Sequence, residues 1–415
     1  MTPTKLPAIG CEHPMRRELH GELHARPSLY FDGEADVWHC AVVFEDGRPR
    51  VPSSLLAEAG LSETQNGRHG ITRFGDGRLK WELHTEFATF TLVMDARAAP
   101  TPPSRLIALC AEAGGLIVSA ARVIVRSGDQ KLVGKPGEDF VASKVGGGDA
   151  EVHSTFRLND SGFVELYLLN RNLNAYRVGR MVRRLLEIET YRMMALLATP
   201  IARETIEKIA TFNGRLELIT DHMRSSPKVD KSLLADVTRL SSEVLNFSAR
   251  ARHRFGATRA YSELVVSRIG ELREDRVEQR QRLGTFIDRR FQPAIRSFNA
   301  ADRRLGELEE RVSLAGDLLR TTVQVQLEDQ NASLLTSVEE RTRAQVQIQQ
   351  AVEGFSVIAI TYYAIGLAKV CIESFAALGI DVHLAKPALL VLVPAVMLLV
   401  WKAVHSIRRR VTPHA

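Results

Sequence analysis

The chain has 415 residues, more than one ordinary hydrophobic core holds and enough for two or three structural units. Its formal net charge of +6 is mostly arginine, concentrated in the 171–192 stretch and at Arg408, Arg409 and Arg410, which favours anionic lipid or a bound anion over general nucleic-acid binding. Aromatic residues are 6% of the chain and no basic segment alternates with stacking aromatics, so nucleic acid is not an expected partner.

The first 30 residues contain His13, Arg16, Arg17, His20 and His24 but no apolar run, so no secretory signal is expected. Within HPMRRELHGELHARP, His20 and His24 stand four apart. On a helix both imidazoles share a face, where they either chelate a metal with His13 or Glu22 or simply cap and hydrogen-bond a polar helix. The HExxH protease pattern is absent. Cys11, Cys40, Cys110 and Cys371 lie far apart without a CxxC pair, which points away from a disulfide framework or zinc ribbon and towards a reducing cytosol.

Strand-like runs are predicted at Val37–Phe44, Leu79–Met94, Ile117–Val125 and Phe163–Leu169, with helical spacing at Ser53–Ala59 and Pro103–Ala113. An α/β or α+β domain over residues 1–170 follows. In KWELHTEF, strand alternation places Lys80, Glu82, His84 and Glu86 on one face and Trp81, Leu83, Thr85 and Phe87 on the core face. The first face either coordinates a divalent ion or supplies an acid and base, or it is a solvated sheet surface. The GGGD at Gly146–Asp149 is predicted to be a loop between strands, because no strand–loop–helix pattern surrounds it as a phosphate loop requires.

From about Asn172 helical signals take over, and residues 171–353 are predicted as a helical stalk with coiled-coil character. Arg177, Arg180 and Arg184 form a stripe at i, i+3, i+7, suited to holding an anion or to pairing with carboxylates of a neighbouring helix. Breaks are expected at Ser225–Lys228 and near Gly256, with a stop or kink at Pro293. Leu305, Leu308, Val312, Ala315 and Leu319 step by three and four, and the seam then turns polar through Gln326, Gln330, Asn331, Gln345, Gln347, Gln349 and Gln350. With no Pro or Gly from Asp317 to Glu353, this stretch is predicted as one rod of roughly 50 Å. It is either a solvated linker or a place where several copies pack round an axis.

Residues 354–403 are expected to hold two transmembrane helices, about 354–372 and 385–401. The first, GFSVIAITYYAIGLA and the VCI after Lys369, offers roughly 19 residues for a hydrocarbon core of about 30 Å. The second, PALLVLVPAVMLLVW, is short and bounded by Lys386 and Lys402, whose stems can snorkel. The short ESFAALGIDVHL between them makes the helices an antiparallel hairpin. Lys402 and, in the 404–415 tail, Arg408–Arg410, against Glu373 and Asp381 in the loop, place both termini in the cytoplasm. Ser356, Thr361 and Tyr362 in the first span either line a pore or hydrogen-bond between helices.

Four blocks in order, ELHARP (22–27), KWELHTEF (80–87), GRMVRRLLEIETYRMMALL (179–197) and QIQQAVEGFSVIAITYY (347–363), resemble a bacterial family of uncharacterised membrane-anchored proteins, domain of unknown function 3422. The resemblance implies a bacterial inner-membrane anchor and transfers no catalytic residue, cofactor or ligand. The order of elements alone is similar to CorA-type magnesium channels, whose Gly-Met-Asn loop is missing here. The expected function is a homo-oligomeric cytoplasmic scaffold or sensor tethered to the bilayer, the alternatives being a CorA-like ion channel and a membrane-tethered metal-dependent enzyme. No nucleophile elbow, Walker loop or dinucleotide fingerprint supports an enzyme, and the sequence names no cofactor.

Overall fold

A strand buried on both faces cannot alternate, and ADVWHCAVV does not: in the computed structural model β1 (Ala35–Val43) is buried along nearly its whole length. The structure describes residues 13–377 apart from 17, 18, 21–28, 31, 61–67, 97–103, 129–139 and 226–230, and beyond them 391, 393–403 and 406. Around β1 stand β2 (His69–Phe74), β3 (Gly77–Leu83), β4 (Phe87–Asp95), β5 (Leu116–Ser127), β6 (Val141–Val145), β7 (Ala150–Leu158), β8 (Val164–Asn170) and the two-residue β9 (Asp275–Arg276). They form one nine-stranded sheet in the order β2-β3-β4-β1-β5-β8-β7-β6-β9. The β5–β8 pair is parallel and every other pair antiparallel. The strand runs expected at 37–44, 117–125 and 163–169 and both short helices are present, and Gly146–Asp149 is a turn between β6 and β7.

One face of the sheet is closed by α1 (Ser53–Glu58) and α2 (Ser104–Glu112), whose Leu55, Leu106 and Leu109 pack on Trp38, Leu79, Trp81 and Phe90. Cys40 and Cys110 meet in this core as free thiols. The hydrogen bond between their side chains, together with burial, pushes the Cys40 thiol well above its ordinary range.

The other face is covered by α3 (Ala175–Leu196). This helix starts cleanly because the Asn174 side chain caps it, accepting from the Arg177 N–H at 3.0 Å. Its period of buried side chains, Val178, Met181, Val182, Leu185, Leu186 and Ile188, faces the sheet. Gly179 is required at its position, since a Cβ there would lie 1.8 Å from the Leu29 carbonyl oxygen, where the incoming chain crosses the helix.

Pro200 at the first turn of α4 (Thr199–Ser225) lets a new helix begin immediately. Next come α5 (Lys231–Glu271) and α6 (Leu283–Ala377). The break expected near Gly256 does not occur, and α5 runs straight through it. A lone glycine costs a helix about 1 kcal/mol, and the buried flanking side chains Phe247, Ala251 and Phe255 outweigh that. Pro293 likewise lies inside α6 without ending it. The chain divides into two compact units, Met1–Gly316 and Asp317–Ala415. In the first, α5 and the start of α6 run antiparallel, fixed by Arg259–Asp302 at 3.0 Å and by the Arg252–Glu309 pair further along. Leu305, Leu308, Val312 and Ala315 are therefore buried inside one chain. The predicted coiled-coil seam is, over this stretch, intramolecular packing.

In the second unit, α6 from about residue 327 to 352 is exposed throughout. Among the described residues α6 is the one helix long and apolar enough to cross a membrane, with an 18-residue window of mean hydropathy 1.8 that is only 11% buried. A shorter apolar helix covers Val393–Ala403. The loop between the apolar stretches and nearly all of the 404–415 tail lie outside the described residues.

Candidate functional site

Polar side chains meet where α3 lies over the part of the sheet formed by β3, β4 and β1. Strand alternation turns His39, Lys80, Thr89 and Thr91 away from the aromatic core and towards α3, where all four are buried. With Glu82, His84 and Phe87 from the sheet side and Arg183, Glu187, Thr190 and Tyr191 from α3, they line a cavity of about 30 Å³. That volume suits a water molecule or a small ion.

KWELHTEF is not one continuous strand. β3 ends at Leu83, His84–Glu86 make the turn, and β4 resumes at Phe87, so the alternation resets. Lys80, Glu82 and His84 do share a cavity. Phe87, expected in the core with Trp81, lines it too, stacking on His84 at 4.2 Å between ring centroids. Glu86 is turned elsewhere. It accepts from Arg254 at 3.0 Å and from the Tyr261 hydroxyl at 3.2 Å, tying the β3–β4 turn to α5. Burial, then the Glu86 carboxylate, pushes the Tyr261 phenol well above its ordinary range and keeps it a donor.

Lys80 is 3% exposed and balanced by Glu82 at 3.1 Å. His39 is held at both ring nitrogens, Nδ1 to the Thr91 hydroxyl at 2.8 Å and Nε2 to the Thr190 hydroxyl at 3.0 Å. Such a ring donates through one nitrogen and accepts through the other, and only the neutral form does so. Burial first, then the nearby Lys80 cation, brings the His39 pKa down from 6.5 to about 3. Folded His39 is thus uncharged at neutral pH, a hydrogen-bonded link between sheet and helix.

The sign of the pH effect follows. Below pH 6.5 the unfolded chain binds a proton that folded His39 refuses, so stability falls as pH drops from 6.5 towards 3. For one such group the loss between pH 6.5 and 5 is about 1.5 kcal/mol, before carboxylates titrate appreciably. Burial also lowers the His153 pKa and adds in the same direction. Denaturant unfolding of the full chain in detergent is expected to show this acid slope, and His39→Gln to reduce it. An unchanged slope in that variant would show that His39 already takes its proton in the fold.

The arginine stripe forms a second constellation. Arg177, Arg180 and Arg184 project from the first turns of α3 and are joined by Arg273 from just beyond the end of α5, a residue some ninety positions away with no sequence signal linking it to them. With Gly146, Leu173, Met181 and Glu271 they line a cavity of about 260 Å³. Arg177 pairs with Asp149 at 2.6 Å and Arg184 with Glu271 at 2.8 Å. Burial raises the Glu271 pKa, but hydrogen bonds from Arg184 and Arg268 outweigh it and hold that carboxyl below its usual range. Arg268 also pairs with Glu187, so an alternating row of charges runs from this cavity to the first.

None of the other described residues singled out by their spacing in the sequence lines either cavity. His20 is on an exposed helical turn, and His24 and Glu22 are outside the described residues. Among the described residues no three His, Cys, Asp or Glu side chains converge as a metal-ligand set. In the apolar part of α6 Ser356 and Tyr362 are exposed and Thr361 is buried. The Ser356 and Thr361 hydroxyls donate to the carbonyls of Val352 and Val357 on their own helix, at 2.9 and 2.6 Å.

A mixed sheet sandwiched between helices, carrying a polar inter-layer site and continuing into a long apolar-ended helix, defines an α+β head with a helical extension. Residues 11–411 match the family described as Protein of unknown function (DUF3422), and the chain belongs to that family. The match lends no support to a CorA-type channel. No curated protein matches the chain.

Proposed function

We propose that the chain is a multi-pass protein of the bacterial inner membrane, its head a cytoplasmic scaffold or sensor carried by α6 and assembled from more than one copy. The observation that carries the anchor is the apolar window of α6. The window of mean hydropathy 1.8 is only 11% buried, and Phe355, Ile358, Leu367 and Val370 stand exposed along it among the described residues. Lipid removes that surface from water. Ser356 and Thr361 are compatible with lipid because their hydroxyls bond their own helix. The short apolar helix Val393–Ala403 is part of the return span of a hairpin, continued by the apolar sequence from Pro387, and the basic tail after it holds both termini in the cytoplasm.

Assembly is supported by the exposed part of α6. Leu327, Leu334, Val338, Ile348, Val352 and Phe355 are exposed there, and their separations of 7, 4, 10, 4 and 3 fit the a and d positions of a heptad repeat. Asn331 falls on an a position of the same frame, a residue that fixes register and strand number in parallel coiled coils. The expected mass of the full chain in detergent is that of two or more copies, shifted to one copy by Leu334→Asp with Val338→Asp. A strict monomer before any substitution would end the assembly reading.

A further inference from the structure

The arginine-lined cavity holds four guanidinium groups against one carboxylate, Glu271. Two of the four are already fixed. Arg177 is locked by Asp149 and by donating to the Gly146 carbonyl at 3.0 Å, and Arg184 by Glu271. Arg180 and Arg273, both exposed at the rim, have no side-chain hydrogen bond or ion pair among the described residues. Arg273 is held there by a backbone φ of 48°, a left-handed conformation that few non-glycine residues adopt.

The lining also includes Gly146, Leu173 and Met181. Gly146 has a positive φ of 66°, and a Cβ there would meet Leu173 at 3.2 Å and Met181 at 3.5 Å, so a side chain at this point of the wall would be both strained and crowded. Like charges gathered in a concave, partly apolar wall repel one another and raise the local potential for an anion. Guanidinium is the side chain whose planar fork matches the paired oxygens of a phosphoryl group. A cavity of about 260 Å³ falls just below the ~300–1,000 Å³ of drug-sized ligand sites, the scale of a small polyanion and not of a folded partner.

We propose that this cavity is a binding site for a phosphoryl-bearing anion, with Arg180 and Arg273 contacting it directly and Arg177 and Arg184 forming a preorganised positive wall. The site stands independently of the membrane reading. The same chemistry is offered by a free phosphorylated small molecule and by a phospholipid headgroup, and the test separates them.

Full-length protein in an uncharged maltoside detergent is titrated calorimetrically with pyrophosphate, and separately with short-chain phosphatidic acid, with short-chain phosphatidylcholine as the zwitterionic control. Saturable binding of either phosphoryl probe is expected, weakening with salt. Arg180→Ala and Arg273→Ala are each expected to lower affinity at least tenfold, Arg180→Lys less, and Arg203→Ala, an exposed arginine on α4, not at all. Both rim residues are exposed, so these variants should keep the parent far-UV circular dichroism and melting point. Binding of pyrophosphate assigns a soluble ligand, and binding of phosphatidic acid alone assigns a headgroup. Absence of binding by both probes, or binding indifferent to Arg180 and Arg273, overturns the site.

Discussion

Gly179→Ala is expected to destabilise the head by about 3 kcal/mol or more, the upper range for a small-to-large change at a packed position. The new methyl carbon would sit 1.8 Å from the Leu29 carbonyl oxygen and 2.8 Å from its carbon. Both are backbone atoms, so no side-chain rotation relieves the clash. Either α3 moves off the sheet, opening the cavity around His39, or the 29–30 segment is expelled and buries neither Leu29 nor the Tyr30–Tyr176 ring contact at 4.8 Å. The control is Gly214→Ala on α4, where nothing lies within 4 Å of the new methyl group. There the helix propensity of alanine should give a gain of up to about 1 kcal/mol. Unfolding free energies of the two variants are expected to move in opposite directions. Equal effects would mean that α3 and the Leu29 backbone are not in contact.

Glu82→Ala is the second large effect. It removes the only carboxylate paired with Lys80 among the described residues and leaves an ammonium group 3% exposed beside neutral His39. Breaking one partner of a buried pair costs about 3–5 kcal/mol. Glu82 is 19% exposed, so a loss at or just below the bottom of that range, about 2–3 kcal/mol, is expected. The double variant Lys80→Met, Glu82→Leu removes both charges and fills similar volume, and should recover most of the loss. If the double variant is no better than Glu82→Ala, Lys80 does more than balance a charge, and a bound ligand in the cavity becomes the explanation to pursue.

Much of the head was legible in the sequence because burial leaves a periodic trace. β1, β5 and β8 showed as apolar runs, and helical signals were legible from about Asn172 onward because the apolar period changes there from two to 3.6. The traces failed where a single residue decides. His84–Glu86 turn the chain within what looks like one strand, separating Glu86 from Lys80 and Glu82. β9 is two residues long, and its pairing with Ser143 and Lys144 is a consequence of where α5 ends. The breaker rule misled at Gly256, where flanking packing overrides propensity. At the candidate sites the arginine stripe was visible as an i, i+3, i+7 pattern, but Arg273, which completes it, was not. His39 did leave a signal, a polar residue in the doubly apolar VWHCAVV, where a buried side chain must find partners. Those partners, Thr91 and Thr190, are 52 and 151 residues away, and only the fold brings them together.

The anchor underlies the functional account, and membrane partition tests it most directly. Bacterial membranes carrying the full chain are washed with alkaline carbonate and pelleted, alongside a truncated chain ending at Glu353. The full chain is predicted to stay in the pellet until detergent is added, and the truncated chain to be released. Full-length protein recovered in the carbonate supernatant would mean that the exposed apolar surface of α6 is covered by protein and not by lipid.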